Sequence, residues 1–341
     1  MSRLAEGLAQ CGAEVEVLSL NPRKHRGVAT GPVPIRAIDV DTSRVLVPLH
    51  RAPFLIARFF SRAFVRALRE TLERFKPDVV QIESPFMLPY ARFVRDGRVV
   101  LRSLNVEFRI WEGLARIERN RLRRLALRFV ASSLRRYEVG ELNAVDAVVP
   151  ITSADADDYR ALGCVKPIHV VPCGVAPHPA FGHPLPAARG EGTGVGFIGA
   201  LDYRPNQDAV RWILDELKPR IPEAKLVIAG LDEKVDDATA FMQRMSVIIA
   251  PLFAGGGMRI KVLEALALGK PVVATTLGAG GIDVPDLVIA DDADSFANAV
   301  NHLLHNPAEA LRLGNAARES VAKRYDNVTL ACGLLHFYES L

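Results

Sequence analysis

Short runs rich in apolar residues recur along this chain, each followed by a stretch with helical periodicity, and the pattern restarts once. Pro77–Glu83 (PDVVQIE), Val99–Leu104 and Ala147–Ile151 are examples. Each run sets apolar residues side by side, as at Val79-Val80, Val99-Val100-Leu101 and Val148-Val149, so both faces of each strand must be covered. A parallel sheet with helices on either side meets that demand. The first half reads as strands over Glu14–Leu20, Pro77–Glu83, Val99–Leu104, Ala147–Ile151 and Ile168–Val171. Helices are expected over Ser2–Gln10, Arg58–Phe75, Asp155–Leu162 and, as one long helix or a pair, Glu112–Asn143. Pro172–Gly194 is rich in Pro and Gly with little periodicity, the signature of a linker. Strands then resume at Val195–Ile198, Lys225–Ala229, Ser246–Ala250, Val272–Thr276 and Leu287–Ala290. They alternate with helices over Asp208–Leu217, Met258–Leu268, Asp294–His305 and Pro307–Lys323. A length of 341 residues suits two domains. The expected bounds are 1–175 and 176–324, with a C-terminal helix over 325–341 that can pack back on the first domain. Two doubly wound, Rossmann-like α/β domains would hold a ligand in a cleft between them, at the carboxyl ends of their strands.

Composition excludes several classes. Apolar residues make up 49% and charged residues 24%, which argues against long disorder, collagen and a coiled-coil rod. With 43 Lys/Arg against 39 Asp/Glu, the net charge of +4 is too balanced for a dedicated nucleic-acid binder. The cysteines, Cys11, Cys164, Cys173 and Cys332, form no CxxC pair. Neither a zinc site nor a disulfide framework is expected, and a reducing cytosol fits. The opening Met1–Glu6 lacks the apolar run of a secretory leader. Val45–Phe60, the nearest approach to a spanning segment, is broken by His50, Arg51 and Arg58. A cytoplasmic protein is therefore expected.

The charge is unevenly divided. Residues 1–175 carry 28 Lys/Arg against 19 Asp/Glu, a net +9, whereas residues 176–341 carry 15 against 20, a net −5. The excess lies in two helix-patterned stretches. Arg51–Arg74 has six Arg against two Glu, and Arg116–Arg136 has eight against one. A basic amphipathic helix suits an anionic lipid surface. It equally suits a solvated helix whose arginine stems cover apolar neighbours.

Pro251–Thr276 (PLFAGGGMRIKVLEALALGKPVVATT) carries the most chemistry. A strand ends at Pro251, Gly255, Gly256 and Gly257 follow, and a helix begins near Met258. Gly269 caps the helix C-terminus and Pro271 stops it. Glycines between a strand and a helix N-terminus let backbone N–H groups approach a phosphate, which the helix dipole also favours. Arg259 and Lys261 stand in the first turn, where the dipole disfavours cations, so they imply an anionic ligand. Glu264 lies three residues after Lys261 on the same face, where a carboxylate suits the diol of a ribose. The plain structural alternative is an exposed ion pair on an ordinary helix.

This segment resembles glycosyltransferase family 4, of the two-domain GT-B fold. Gly196–Asn206 (GFIGALDYRPN) is similar to the family's strand and loop opening the donor domain, and Pro172-Cys-Gly-Val resembles its PNGV junction. Leu104-Asn-Val-Glu107, the Glu138 region, Ile151-Thr-Ser and Thr276-Leu-Gly-Ala follow in family order. The resemblance implies transfer of a sugar, with retention and without metal or other cofactor, from a nucleoside-diphosphate-sugar donor to a glycan or lipid-linked acceptor. Surface-polysaccharide synthesis at the inner face of the membrane is the implied setting, with a peripheral contact to anionic lipid and no nucleic-acid partner. By the same resemblance Gly256, Gly257, Met258, Arg259 and Lys261 hold the donor diphosphate, and Glu264 holds the ribose. Gly199 and Arg204 belong to a donor loop, and Asn105 and Glu107 line the acceptor side.

The chain also departs from the family. Gly256 stands where the first Glu of a Glu-x7-Glu pair is usual, Leu104 replaces a His, Gly12-Ala-Glu-Val15 lacks the His of GHEV, and Gly280 replaces a Glu. The family's first strand would precede Ser2, and about twenty residues are expected but missing between Gly230 and Val235. These departures leave a nucleotide-binding paralogue without turnover as the alternative. A GT-B epimerase would need acidic and His residues in the cleft that the sequence does not offer. Three further motifs are expected to be structural. Gly194-x-Gly196-x-x-Gly199 spells a dinucleotide fingerprint, but its glycines fall within the strand. Asp155-Ala-Asp157-Asp158 and Asp291-Asp-Ala-Asp294 sit at helix starts, where acidic residues complement the dipole and Asp294 reads as a cap.

Overall fold

Every strand pairing among the described residues is parallel. The computed structural model describes residues 2–22, 31–41, 53–175 and 194–341. Most of the expected linker, Arg51 and the start of Val45–Phe60 lie outside them. The chain divides into two units, Met1–Gly174 with Asn327–Leu341, and Val175–Asp326.

In chain order the first unit holds α1 (Ser2–Gln10), β1 (Val17–Pro22), β2 (Ile35–Val40), α2 (Phe54–Ala57), α3 (Arg62–Phe75), β3 (Val79–Glu83), β4 (Arg98–Ser103), α4 (Glu107–Ile117), α5 (Arg121–Glu141), β5 (Ala147–Pro150) and α6 (Ser153–Ala161). The second holds β6 (Gly194–Phe197), α7 (Arg204–Trp212), β7 (Lys225–Ile228), α8 (Ala238–Arg244), β8 (Val247–Ala250), α9 (Ile260–Ala267), β9 (Val272–Ala274), β10 (Val288–Ile289), α10 (Ala293–His305) and α11 (Pro307–Arg324). The final helix, α12 (Asn327–Glu339), belongs to the first unit.

The first unit has two sheets, β1-β2 and β3-β4-β5. Against the doubly wound order 3-2-1-4-5-6 these read as positions 3-2 and 4-5-6, with no strand at position 1 among the described residues. β5 is buried throughout, whereas every described residue of β1 is only half-buried. Phe108, Leu134, Leu142 and Tyr159 form the core beneath β4 and β5, fixing α4, α5 and α6 on one face. On another face Leu4 and Leu8 of α1 meet Ala331 and Leu334 of α12 against Val100 and Val149. Gly7 permits that approach, because a Cβ there would lie 2.7 Å from the Ala331 Cβ.

The same packing corrects the reading of the cysteines. Cys11 and Cys332 are joined by a disulfide across 321 residues of sequence, with a Cα–Cα separation of 5.4 Å. Pairing α1 with α12 makes neighbours of residues that lie at opposite ends of the chain, which spacing alone does not reveal.

The second unit is a five-stranded sheet in the order β10-β9-β8-β6-β7. This is the doubly wound order without an outer third strand, so β7 is an edge. The short stretch after it folds as a tight turn, in which Gly230 N–H donates to Glu233 O (2.8 Å) and Ile228 N–H to the Asp232 carboxylate (2.7 Å). Strand interiors supply Val195, Ile228, Val247, Ile249 and Val273 to a core closed by Ile213, Leu217, Phe296 and Val300.

Several elements differ from the sequence reading. β2 was missed because Arg36 and Asp39 interrupt its apolar run, and α8 because it is only seven residues long. The long helical stretch is a pair, broken where Asn120 caps α5 by accepting from Leu122 and Arg123 N–H (3.0 and 3.1 Å). Ile168–Val171 contributes only one bridge, Ile168 to Val148.

Candidate functional site

The parallel order of the second unit puts the loops after β6, β8 and β9 side by side at one sheet edge, the binding edge of such folds. The middle loop carries the three glycines. Gly255 and Gly257 have φ of +113° and +67°, conformations that favour glycine and turn the chain from β8 into α9. No side chain caps the N-terminus of α9. The helix therefore presents its positive end with first-turn N–H groups that no cap occupies.

Lys261, in that first turn, donates to Glu264 at 2.8 Å. The lysine side chain is 46% exposed and the glutamate 18%, so the pair sits at the surface of the loop with its ammonium reachable by solvent. Arg259 is placed differently. Its guanidinium folds over the loop and donates to Gly256 O (3.0 Å), Leu277 O (3.3 Å) and Ala254 O (3.4 Å). Burial pushes its pKa down, with nearby Tyr203 opposing that shift. Arg259 is thus bound to its own loop, joining the carbonyls of Ala254 and Gly256 to that of Leu277. Met258 is buried beneath the turn.

The neighbouring loops are fitted closely to this one. Thr275 Oγ1 donates to Leu252 O (2.6 Å) and accepts from Gly278 N–H (2.9 Å), joining the ends of β8 and β9. A Cβ on Gly278 would lie 2.0 Å from Ala250 O, so the loop after β9 closes on β8 only with glycine there. Gly280 lies against the same turn, where a Cβ would be 3.6 Å from Gly257 O. On the β6 side, Gly199 lies against Asn206, whose amide donates to Ala200 O (2.9 Å). Arg204 opens α7, its guanidinium paired with Asp208 at 2.9 Å. Gly199 thus shapes the loop after β6, while Arg204 is engaged within its own helix. The Thr275 clamp was not read from the sequence; a Thr closing a buried strand is too common a signal.

In the first unit Asn105 and Glu107 follow β4. Ser103 Oγ donates to Asn105 O (2.7 Å), fixing the turn. The N-terminus of α4 is satisfied by Glu138 from α5, which accepts from Phe108 N–H (2.9 Å) and Glu107 N–H (3.2 Å). Glu107 and Glu138 are both buried. Burial pushes Glu107 up to about 7, against a hydrogen bond from Asn105. Burial also pushes Glu138 up to about 8, helped by the Glu107 charge and opposed by the two N–H donors. Asp155, buried nearby, is shifted upward by the same cause. Glu107 thus faces a carboxyl cluster in the protein interior, a placement that its helix-start position alone does not foretell.

These shifts have a consequence for stability. Both carboxyls bind protons more tightly in the folded chain than in the unfolded one, where carboxyls titrate near 4.5. Their stabilising effect is complete below that value and is lost as pH rises through about 7 and 8. Glu107→Gln, which stays neutral, should be more stable than wild type at pH 8.5 by on the order of 1–3 kcal/mol and equal to it near pH 4. Urea unfolding across that range checks this; parallel pH profiles would contradict it.

The remaining motifs have structural partners. Gly194 and Gly196 lie within β6, and a Cβ at Gly196 would meet the Met245 Cγ at 2.4 Å. Thr152 caps the α6 start: its hydroxyl accepts from Asp155 N–H (3.0 Å) and donates to the Asp155 carboxylate (2.8 Å). Asp157 pairs with Arg160, and Asp158 with Arg109. The α10 cap is Asp292, not Asp294, which instead pairs with Arg220. Asp291 holds Thr276 through its N–H and hydroxyl, both at 2.7 Å. Among the described residues no three His, Cys, Asp or Glu side chains gather as metal ligands.

Comparison with known proteins places this geometry. Two phosphatidyl-myo-inositol mannosyltransferases are similar in sequence. That of Mycolicibacterium smegmatis is 30% identical over 179 residues, covering 44% of this chain and 46% of the relative. That of Mycobacterium leprae is 36% identical over 115 residues, covering 32% and 30%. The matches thus span less than half of either relative. Among solved structures, sucrose-phosphate synthase of Thermosynechococcus elongatus superposes with a TM-score of 0.70 at 18% identity, covering 99% of this chain and 91% of that one. HepE of Anabaena, solved with UDP and glucose, gives 0.65 at 14% identity, covering 100% and 96%. These likenesses establish the GT-B fold. The profile described as "Glycosyl transferases group 1" matches residues 192–306, the part that carries the glycine loop. Since the profile described as "Glycosyltransferase Family 4" matches residues 1–178, more than half of its length, the chain belongs to glycosyltransferase family 4.

Proposed function

We propose that this protein transfers a sugar from a nucleoside-diphosphate-sugar donor to a glycan or lipid-linked acceptor, with retention of anomeric configuration. The observation that carries the reading is the uncapped start of α9 behind Gly255–Gly257, with Lys261 and Glu264 on its exposed face. Backbone N–H groups of this turn and the Lys261 ammonium receive the diphosphate, and Glu264 accepts from the ribose hydroxyls. Arg259 adds its charge while holding the loop. As the sugar–phosphate bond breaks, negative charge grows on the leaving diphosphate, and the same groups stabilise it. Asn105 serves the acceptor side, with Glu107 buried behind it. The acceptor named for the sequence relatives, phosphatidyl-myo-inositol, supports an anionic lipid-linked acceptor here. The setting we assign is a membrane surface, in cell-surface polysaccharide synthesis; the Cys11–Cys332 disulfide removes the cysteine argument for a reducing cytosol.

This reading requires no divalent metal, because cationic side chains and the helix N-terminus take its place at the diphosphate. Calorimetric titration in EDTA tests it. Nucleoside diphosphates should bind well above the matching nucleosides, with affinities unchanged by removal of Mg²⁺ or Mn²⁺. A strict metal requirement, or equal binding of nucleoside and diphosphate, would overturn the assignment.

A further inference from the structure

The long helix α5 buries one face and leaves the other unpartnered. Ala131, Leu134, Tyr137 and Glu138 point inward. Opposite them Leu122, Leu125 and Phe129 are 80%, 66% and 71% exposed. Spaced i, i+3, i+7, they form one apolar stripe along the helix. Isolated exposed apolar residues need no explanation, but three large ones in register on one helix do. Arg121, Arg124 and Arg128 run along one flank of the stripe, and Arg123 stands on the other. Among the described residues none of these four arginines forms an ion pair with a carboxylate. No helix of the described residues is long and apolar enough to cross a membrane.

An apolar stripe flanked by unpaired cations matches a surface with an apolar interior and an anionic rim. A second copy of this chain does not fit as well: pairing two α5 faces would set the eight arginines of Arg116–Arg136 against eight more. Nucleic acid would leave the leucines and Phe129 without an apolar partner. We propose that the Leu122–Leu125–Phe129 face of α5 inserts into the interface of an anionic phospholipid bilayer, with Arg121, Arg123, Arg124 and Arg128 on lipid phosphates. This inference rests on the membrane-face reading above and assigns the surface that makes the contact. Neither the apolar stripe nor the basic flank suffices alone, since reversible membrane binding of such helices combines both contributions.

Flotation of the full chain with vesicles tests the assignment without donor or acceptor. Wild type should float with vesicles of phosphatidylglycerol and phosphatidylcholine, and high salt should release it. Joint replacement Leu122→Ser, Leu125→Ser and Phe129→Ser should lower partition at least about tenfold. Joint Arg→Gln replacement at positions 121, 123, 124 and 128 should reduce binding to that seen with pure phosphatidylcholine. Phe129→Trp gives a second readout that does not depend on the serine variant folding: its emission should shift to the blue when anionic vesicles are added. If wild type floats but the serine variant floats equally and the tryptophan emission stays put, the membrane-face reading stands and the α5 assignment falls. If wild type fails to float with anionic vesicles, both fall. If wild type is a dimer in solution that the serine variant dissolves, the face belongs to a second copy and the proposal is overturned.

Discussion

Lys261→Ala should weaken nucleoside-diphosphate binding by about 1.5–3 kcal/mol, the range for hydrogen bonds to charged groups, which is roughly 10- to 150-fold in affinity. The lysine ammonium now pairs with Glu264 at 2.8 Å, with close to half of its side chain exposed. An exposed i,i+3 pair contributes little to stability, so the substitution should leave unfolding almost unchanged. A diphosphate at the α9 N-terminus is a stronger partner, carrying more charge and lying where N–H groups converge. The matching nucleoside offers no phosphate and should bind both proteins alike. Titration calorimetry separates the outcomes. Equal losses for diphosphate and nucleoside would move the role of Lys261 from phosphate binding to support of the fold.

The second large effect concerns the packing behind the loop. Gly278→Ala should destabilise the Val175–Asp326 unit by about 3 kcal/mol, the upper end of the usual cost of overpacking. The added methyl would lie 2.0 Å from Ala250 O and 3.0 Å from Thr275 Oγ1. Ala250 is the last residue of β8 in mid-sheet, so its carbonyl cannot move without disturbing β9 and β6 on either side. Relief must come from the loop after β9, which would part from the glycine turn and break the Thr275 clamp. Diphosphate affinity should fall along with stability. Gly333→Ala, in α12 with open space around it, is the control and should be neutral or slightly stabilising. Thermal unfolding of the two variants decides this; an unshifted transition for Gly278→Ala would show that the loop yields.

Much of this arrangement was legible in the residues themselves. The unbroken apolar runs Val99–Leu101 and Val247–Ala250 could only lie in covered strands, and the glycine turn between Pro251 and Met258 named its own strand–loop–helix. What stayed hidden depended on partners distant in sequence. Glu138 caps α4 from 30 positions away, a role that helix periodicity around Glu138 cannot express. The disulfide between Cys11 and Cys332 follows from α1 meeting α12, again a fact of tertiary packing. Arg259 was read as a phosphate ligand by its position in the first turn, yet its reach to Leu277 O depends on where the loop after β9 comes to lie. The exposure of Leu122, Leu125 and Phe129 was likewise unpredictable, because periodicity marks an apolar stripe without saying whether anything covers it.

In the function we propose, the α9 turn holds a diphosphate leaving group during transfer of a sugar. Proton NMR of the reaction, run in EDTA with a panel of nucleoside-diphosphate-sugars and a lipid acceptor, tests it most directly. One nucleoside diphosphate should be released per sugar transferred, the product should keep the anomeric configuration of the donor, and the rate should fall with Lys261→Ala. Diphosphate release no faster than without protein for every donor, or a product of inverted configuration, would contradict it.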